Sequence, residues 1–169
     1  NRRYYGICYG IRCQLPSSAT NKYSAIGSIA VDWITNKIYI VEYELARIDM
    51  LSLDEKMMKT NIIINNLYQP VAIAIDPIAE YLFVADEGNW HRIPARINRC
   101  LLDGTLCITL IDQKLEQPSD LTVDFIKQRV YWVDRSYDHV ESCDYHGSRR
   151  REIALFYVFW DLLLNHRFT

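Results

Sequence analysis

Carboxylates recur in this chain as pairs set ten residues apart: Asp32 with Glu42, Asp76 with Asp86, and Asp124 with Asp134. Two facing acids can serve as general acid and base, or as acid and nucleophile; a glycosidase needs its pair about 5 to 9.5 Å apart across the scissile bond. A turn centred on Lys127-Gln128 sets Asp124 near Tyr131 on the following strand. Asp134 then lies about three rungs away, roughly 10 Å at about 3.3 Å per residue. That is no close dyad, and no suitably placed nucleophile, base or metal-type His/Cys set accompanies it. Repetition is the stronger objection. Catalysis needs one asymmetric constellation, whereas a residue present in every unit meets a need that every unit has, such as bonding exposed backbone amides of a neighbour. The acids are therefore expected to be structural.

The elements that position them form a repeat. Ala30-Val31-Asp32-Trp33, Ala74-Ile75-Asp76-Pro77 and Thr122-Val123-Asp124-Phe125 place their acids 44 and 48 residues apart, and Gln69-Pro70 and Gln117-Pro118 lead into two of them. The second acids close Tyr39 to Glu42, Phe83 to Asp86 and Tyr131-Trp132-Val133-Asp134. In the third copy, turn-like residues separate β-branched and aromatic runs at 120–125, 130–135, 140–145 and 150–155, which predicts a four-stranded antiparallel meander. A period in the mid-forties with four short strands per unit is the signature of propeller blades. Tyr39, Phe83 and Tyr131 then fill the spaces between blades. Helical periodicity is absent. The predicted fold is all-β: about three blades, at 28–70, 71–118 and 119–153, preceded by an incomplete N-terminal blade or disulfide segment at 1–27 and followed by an atypical tail at 154–169.

Composition sets the bounds. The 169 residues are 50% apolar and 12% aromatic with net charge -2, enough to bury a core and no basis for nucleic-acid binding. The basic run Ser148 to Arg151 meets Glu152 at once and reads as a solvated turn. The longest apolar stretch, Ile153 to Leu164, is short and broken by Asp161, so no membrane contact is expected of this segment. No signal peptide is legible after the opening Asn-Arg-Arg, and the chain reads as a fragment. Phe156 to Thr169 lacks the Pro-x-x-x-Ala-x-Asp lead-in of a further copy.

Cysteines point to an oxidising compartment. A two-residue hairpin at Asp103-Gly104 places Cys100 opposite Cys107, close enough for a disulfide. The same slot holds Leu51 opposite Met58 in the first copy and Cys143 opposite Arg150 in the third, leaving Cys143 free or paired elsewhere. Cys8 and Cys13 form either another hairpin bridge or a piece of a small disulfide module. No Cys-x-x-Cys or His pair at metal spacing suggests zinc.

Ala30-Val31-Asp32-Trp33, the Tyr39 to Glu42, Phe83 to Asp86 and Tyr131 to Asp134 elements, and Cys100-Leu101-Leu102-Asp103-Gly104 resemble the YWTD, or class B, repeats of the low-density lipoprotein receptor family over about residues 28–153. Glu42 stands where the motif has Asp, and Glu55 where the hairpin has Gly. The resemblance implies a non-enzymatic, six-bladed extracellular propeller beside EGF-like modules in a single-pass endocytic receptor that cycles through endosomes. Its ligands would be proteins such as apolipoproteins or protease complexes, released in acid. No cofactor is implied for this segment; calcium belongs to neighbouring modules. The alternatives are a matrix or signalling co-receptor scaffold and a calcium-dependent lactonase-like propeller.

Two features bear on ligands. Ten residues separate Asp86 from Ile97, against five in the other copies, and Trp90, His91 and Pro94 occupy the extra length. This loop is read as a ligand contact or a tolerated insertion. His91, His139, His146 and His166 could sense endosomal pH, or sit in exposed turns and the tail.

Overall fold

A computed structural model describes residues 25–53, 59–62, 64, 66–89 and 92–155. They form three four-stranded sheets. The first contains β1 (Ile26–Asp32), β2 (Lys37–Glu42), β3 (Arg47–Ser52) and β4 (Lys59–Ile62); the second β5 (Pro70–Asp76), β6 (Tyr81–Asp86), β7 (Arg96–Leu101) and β8 (Ile108–Ile111); the third β9 (Pro118–Asp124), β10 (Arg129–Asp134), β11 (His139–Asp144) and β12 (Arg151–Leu155). Every sheet runs in chain order with antiparallel neighbours, and β5 packs between β1 and β9. The helical content of the described residues is one 3-10 turn at Tyr43–Leu45. This is part of a β-propeller. Pro70 and Pro118 open β5 and β9 instead of closing the preceding units, a position where a missing N–H costs the ladder little.

Period-2 alternation explains the core. In β6, Leu82 and Val84, with Ile73 of the neighbouring β5, face the first sheet, where they join Tyr39, Val41 and Ile48. Phe83 and Ala85 face the third, packing with Val130, Trp132, Cys143 and Tyr145. The middle sheet is thus covered on both faces, which is why Pro70–Asp76 reads as a nearly continuous apolar run. Tyr39 and Phe83 are buried between sheets as expected, whereas Tyr131, at the same position of the third sheet, is only half-buried.

The register corrects three expectations. Asp124 pairs with Arg129, not near Tyr131, because the connecting loop is the four residues 125–128 and ends with Gln128 in the left-handed region at φ 50°. Asp134 pairs with Pro118, so the two acids sit at opposite ends of the sheet, five rungs apart along β10, roughly 17 Å at about 3.3 Å per residue. Leu51 faces Lys59 rather than Met58. The Asp103-Gly104 turn is a three-residue loop: Gly104 N–H donates to Leu101 O at 2.9 Å, Leu101 N–H to Thr105 O at 2.8 Å, and Gly104 takes φ 85°. The pairing regains one residue at Leu106, φ 49°, and still brings Cys100 opposite Cys107.

Candidate functional site

The two sets of acids do different work. Asp32, Asp76 and Asp124 each end a first strand and cap the turn that follows. Asp32 Oδ1 accepts the N–H of Ile34 at 2.9 Å and of Thr35 at 3.0 Å, and Oδ2 accepts the Thr35 hydroxyl. Asp76 holds Ile78 and Ala79, and Asp124 holds Ile126 and Lys127, in the same way. Burial pushes the Asp32 carboxyl up, but these bonds and nearby Lys37 outweigh it and leave it below the ordinary range. Among the described residues Asp76 also bridges sheets, accepting the Tyr145 hydroxyl at 2.9 Å. Burial and this bond raise the Tyr145 phenol well above its ordinary range.

Asp86 and Asp134 close the second strands at the other end and tie down the segments that join one sheet to the next. Asp86, fully buried, accepts N–H groups of Tyr68 at 3.1 Å, Gln69 at 2.7 Å and Gly88 at 3.0 Å, and pairs with Arg96 at 3.0 Å. Asp134 accepts those of Glu116 at 2.8 Å, Gln117 at 3.2 Å and Ser136 at 2.9 Å. Glu42 occupies the same place in the first sheet and pairs with Arg47 at 2.7 Å. The acids thus grip turns and connecting segments rather than amides of the adjacent sheet's strands. Arginines add the clasps between sheets: Arg99 donates to Tyr145 O at 2.7 Å, and Arg150 to Lys114 O at 2.7 Å while holding Glu141 through two bonds. Trp132 lies buried beneath the Arg150 guanidinium.

The residue after each closing acid is where the copies diverge. Tyr43, Glu87 and Arg135 hold one backbone slot, each donating its N–H to the preceding segment, at Ala25 O, Gln69 O and Gln117 O. Burial lifts the Glu87 carboxyl above the ordinary range; Arg135 opposes that, while Asp86 and Asp134 add to it. Burial and Glu87 raise the Tyr43 phenol in turn. These side chains influence one another across three sheets, so they share one rim. Beside Glu87 the long loop folds over a pocket of about 310 Å³, reached by Arg92, Pro94, Leu115 and Glu116. Gly88 shapes it: φ is 68°, and a Cβ there would lie 2.3 Å from Ile93 O. Sequence reasoning named the loop but not Tyr43, Glu87 or Arg135; their signal is divergence immediately after a repeated acid.

The other candidates fall as follows. Cys100 and Cys107 are disulfide-bonded with Cα atoms 4.0 Å apart. Cys143 is a buried free thiol, raised to about 11 by burial. His139 is no exposed turn residue: it opens β11 with 13% side-chain exposure, stacks on Tyr137 and lies 3.2 Å from Glu141. His146 is in an exposed turn beside Arg99. Cys8, Cys13, Glu55, Met58, Trp90, His91 and His166 lie outside the described residues. Among the described residues no group of three or more His, Cys, Asp or Glu is placed to hold a metal, and no helix is long and apolar enough to cross a membrane.

Strand order, repeat spacing and disposition of acids define a YWTD-type propeller. No family model matches the chain. It is similar to the vitellogenin receptor of Solenopsis invicta, 28% identical over 132 residues, and to the vitellogenin receptor Yl of Drosophila melanogaster, 28% over 134. Low-density lipoprotein receptor-related protein 5 of Mus musculus is 44% identical over 59 residues. These matches cover 78%, 79% and 35% of this chain but only 7%, 6% and 4% of the relatives, so the chain spans a small part of their length. A solved nidogen/laminin complex contains a chain that superposes with TM-score 0.70 at 27% identity, covering 78% of this chain and 48% of that one. The repeats of this chain resemble those of the receptors it is similar to, the vitellogenin receptors and low-density lipoprotein receptor-related protein 5.

Proposed function

We propose that this segment is a non-enzymatic extracellular propeller of an endocytic lipoprotein-receptor-related protein, binding protein ligands at the rim of Tyr43, Glu87 and Arg135. One observation carries the reading. The recurrent acids that could perform chemistry are engaged by backbone amides and arginines, while beside them Glu87 lines a pocket of about 310 Å³ and Arg135 is exposed. In the full receptor, EGF-like and calcium-bearing modules flank the propeller, and ligands leave in acidic endosomes so that the receptor recycles. The relatives named as vitellogenin receptors support a lipoprotein ligand. The nidogen likeness favours a second reading, a matrix scaffold.

Purified vitellogenin and laminin are the probes, offered in turn to the immobilised chain. Binding of vitellogenin that weakens at least tenfold in Arg92→Glu and in Glu87→Lys, and is lost at endosomal pH, supports the receptor reading. Binding of laminin alone replaces it with the scaffold. Binding of neither, or binding untouched by both substitutions, removes the rim from consideration.

A further inference from the structure

The two junctions between sheets follow one pattern and differ at one position. Leu102 and Tyr145 hold the same place, two residues beyond Cys100 and Cys143. Each donates its N–H to the last residue of the turn before the second strand, Leu102 to Glu80 O at 3.1 Å and Tyr145 to Gln128 O at 3.2 Å. At the second-third junction Tyr145 lies over Phe83 with ring centroids 4.8 Å apart, and its hydroxyl reaches Asp76. At the first-second junction Leu102 has neither ring nor hydroxyl. Thr35, where the second sheet has Ala79, gives Asp32 the missing hydroxyl. Among the described residues no ring takes the missing ring's place, and a cavity of about 400 Å³ remains, at the end of the sheets opposite Glu87. Ligand pockets span about 300 to 1,000 Å³.

The lining has an apolar part, Met50, Ile62, Leu101 and Leu102, and a charged part in which the carboxylates of Asp32, Glu80 and Asp103 stand against one ammonium, Lys37. Tyr39 adds a polar atom. It stands where the second sheet has Phe83, is 1% exposed, and no described residue hydrogen-bonds its hydroxyl; burial and the charges of Asp32 and Asp103 push the phenol up to about 12. A buried hydroxyl is seldom left without a partner. Asp103 Oδ1 accepts the N–H of Thr105 at 2.8 Å and its hydroxyl at 2.6 Å, which leaves Oδ2 for a ligand. A guanidinium fork takes both oxygens of one carboxylate, whereas an ammonium is a compact charge with three donors and needs one. We propose that this cavity binds a protonated alkylamine, either a lysine side chain of a partner protein or a free aliphatic amine. The alkyl chain lies along Met50, Ile62 and Leu102, in the space that Tyr145 fills at the other junction. The ammonium donates to Asp103 Oδ2 and to the Tyr39 oxygen, an acceptor that Phe83 lacks.

Titration of n-pentylamine into the 169-residue chain, followed by NMR at the Met50 and Leu102 methyls, tests this. Both methyls should shift to saturation. Asp103→Asn, which keeps the oxygen that Thr105 uses, and Tyr39→Phe should each raise Kd at least tenfold, and n-pentanol, of the same shape without the charge, should bind at least tenfold more weakly. Leu102→Tyr rebuilds the second-third arrangement, so it should fill the cavity and abolish the shift at Met50 while the chain keeps its Tm. Nα-acetyl-lysine amide separates the two sources: affinity matching or exceeding that of pentylamine assigns a lysine side chain, and weaker affinity assigns a free amine. Shifts that do not saturate, pentanol binding as well as pentylamine, or binding indifferent to Asp103→Asn and Leu102→Tyr overturns the proposal.

Discussion

Replacing Asp134 by alanine tests the division of labour between the two sets of acids. The carboxylate is fully buried, and three N–H groups approach it within 3.2 Å: Glu116, Gln117 and Ser136. Removing an acceptor strands its buried donors at about 1 to 3 kcal/mol each, less where water can enter. Since Glu116 and Ser136 belong to exposed stretches, a total of about 4 kcal/mol is expected. That is a large fraction of the ~5 to 15 kcal/mol that holds a domain. At about 2 to 4 °C per kcal/mol for a chain of this size, Tm should fall by roughly 8 to 16 °C. Asp134→Asn should fall between, because one oxygen is kept while an NH2 meets the Glu116 or Gln117 donors. Asp124→Ala is the control. Its turn is exposed and its two N–H donors can turn to water, so a loss of about 1 kcal/mol is expected, as for a helix cap. Thermal unfolding of the three variants decides the matter. If Asp134→Ala and Asp124→Ala cost the same, the acids are one class and the closing carboxylate is not the tie described here.

Cys107→Ser should lose about 2 to 3 kcal/mol, the loop-entropy value for a ring this small, and the same loss should follow mild reduction of the parent chain in urea titrations. Gly88→Ala sets a methyl against Ile93 O at 2.3 Å and Pro94 O at 2.6 Å in a left-handed residue, so it should cost more than the ~1 kcal/mol of the conformation alone and displace the loop, read as lost rim binding. Stability should decline as pH rises beyond about 9. Cys143, raised to about 11, and Tyr39, raised to about 12, both keep their protons in the folded state at pH values where the unfolded chain gives them up, so the unfolded state binds fewer protons; a flat urea midpoint between pH 8.5 and 10.5 would contradict that burial. For the same reason the Cys143 thiol should resist iodoacetamide at pH 8 until the chain is unfolded.

What was legible in the sequence follows from period and pairing. Four strands per unit, the carboxylates closing the second strands and the Cys100-Cys107 bond depend on alternation and turn chemistry within some 45 residues, and these are local properties. The register of the Asp124 turn was not legible. A two-residue and a four-residue loop share the same polar letters, and the choice falls to Gln128 adopting positive φ while Asp124 caps the turn. Nor was the setting of His139. Its neighbours Tyr137 and Glu141 lie close in sequence, but Glu141 is held beside it by Arg150 from the turn that precedes β12.

The rim shows why function is harder to read than fold in a repeat. A residue that must serve every sheet recurs, and recurrence makes it visible: the carboxylates at 86 and 134 do the same job with the same donors one unit apart. A residue that contacts a ligand gains nothing from recurring, because an asymmetric partner presents different chemistry to each sheet. Tyr43, Glu87 and Arg135 donate the same backbone bond yet differ in side chain as aromatic, acid and base. Their backbone is fixed by the frame, so their side chains can differ from copy to copy, and burial, with Asp86 and Asp134 adding to it against Arg135, holds the Glu87 carboxyl above its ordinary range. Under the proposed function, divergence at a slot whose backbone is invariant marks the residues that meet the ligand. Exchanging Glu87 and Arg135 tests that: Glu87→Arg combined with Arg135→Glu keeps the charge and the frame, so stability should hold while rim binding is lost, and binding that survived the exchange would show that the rim reads only net charge.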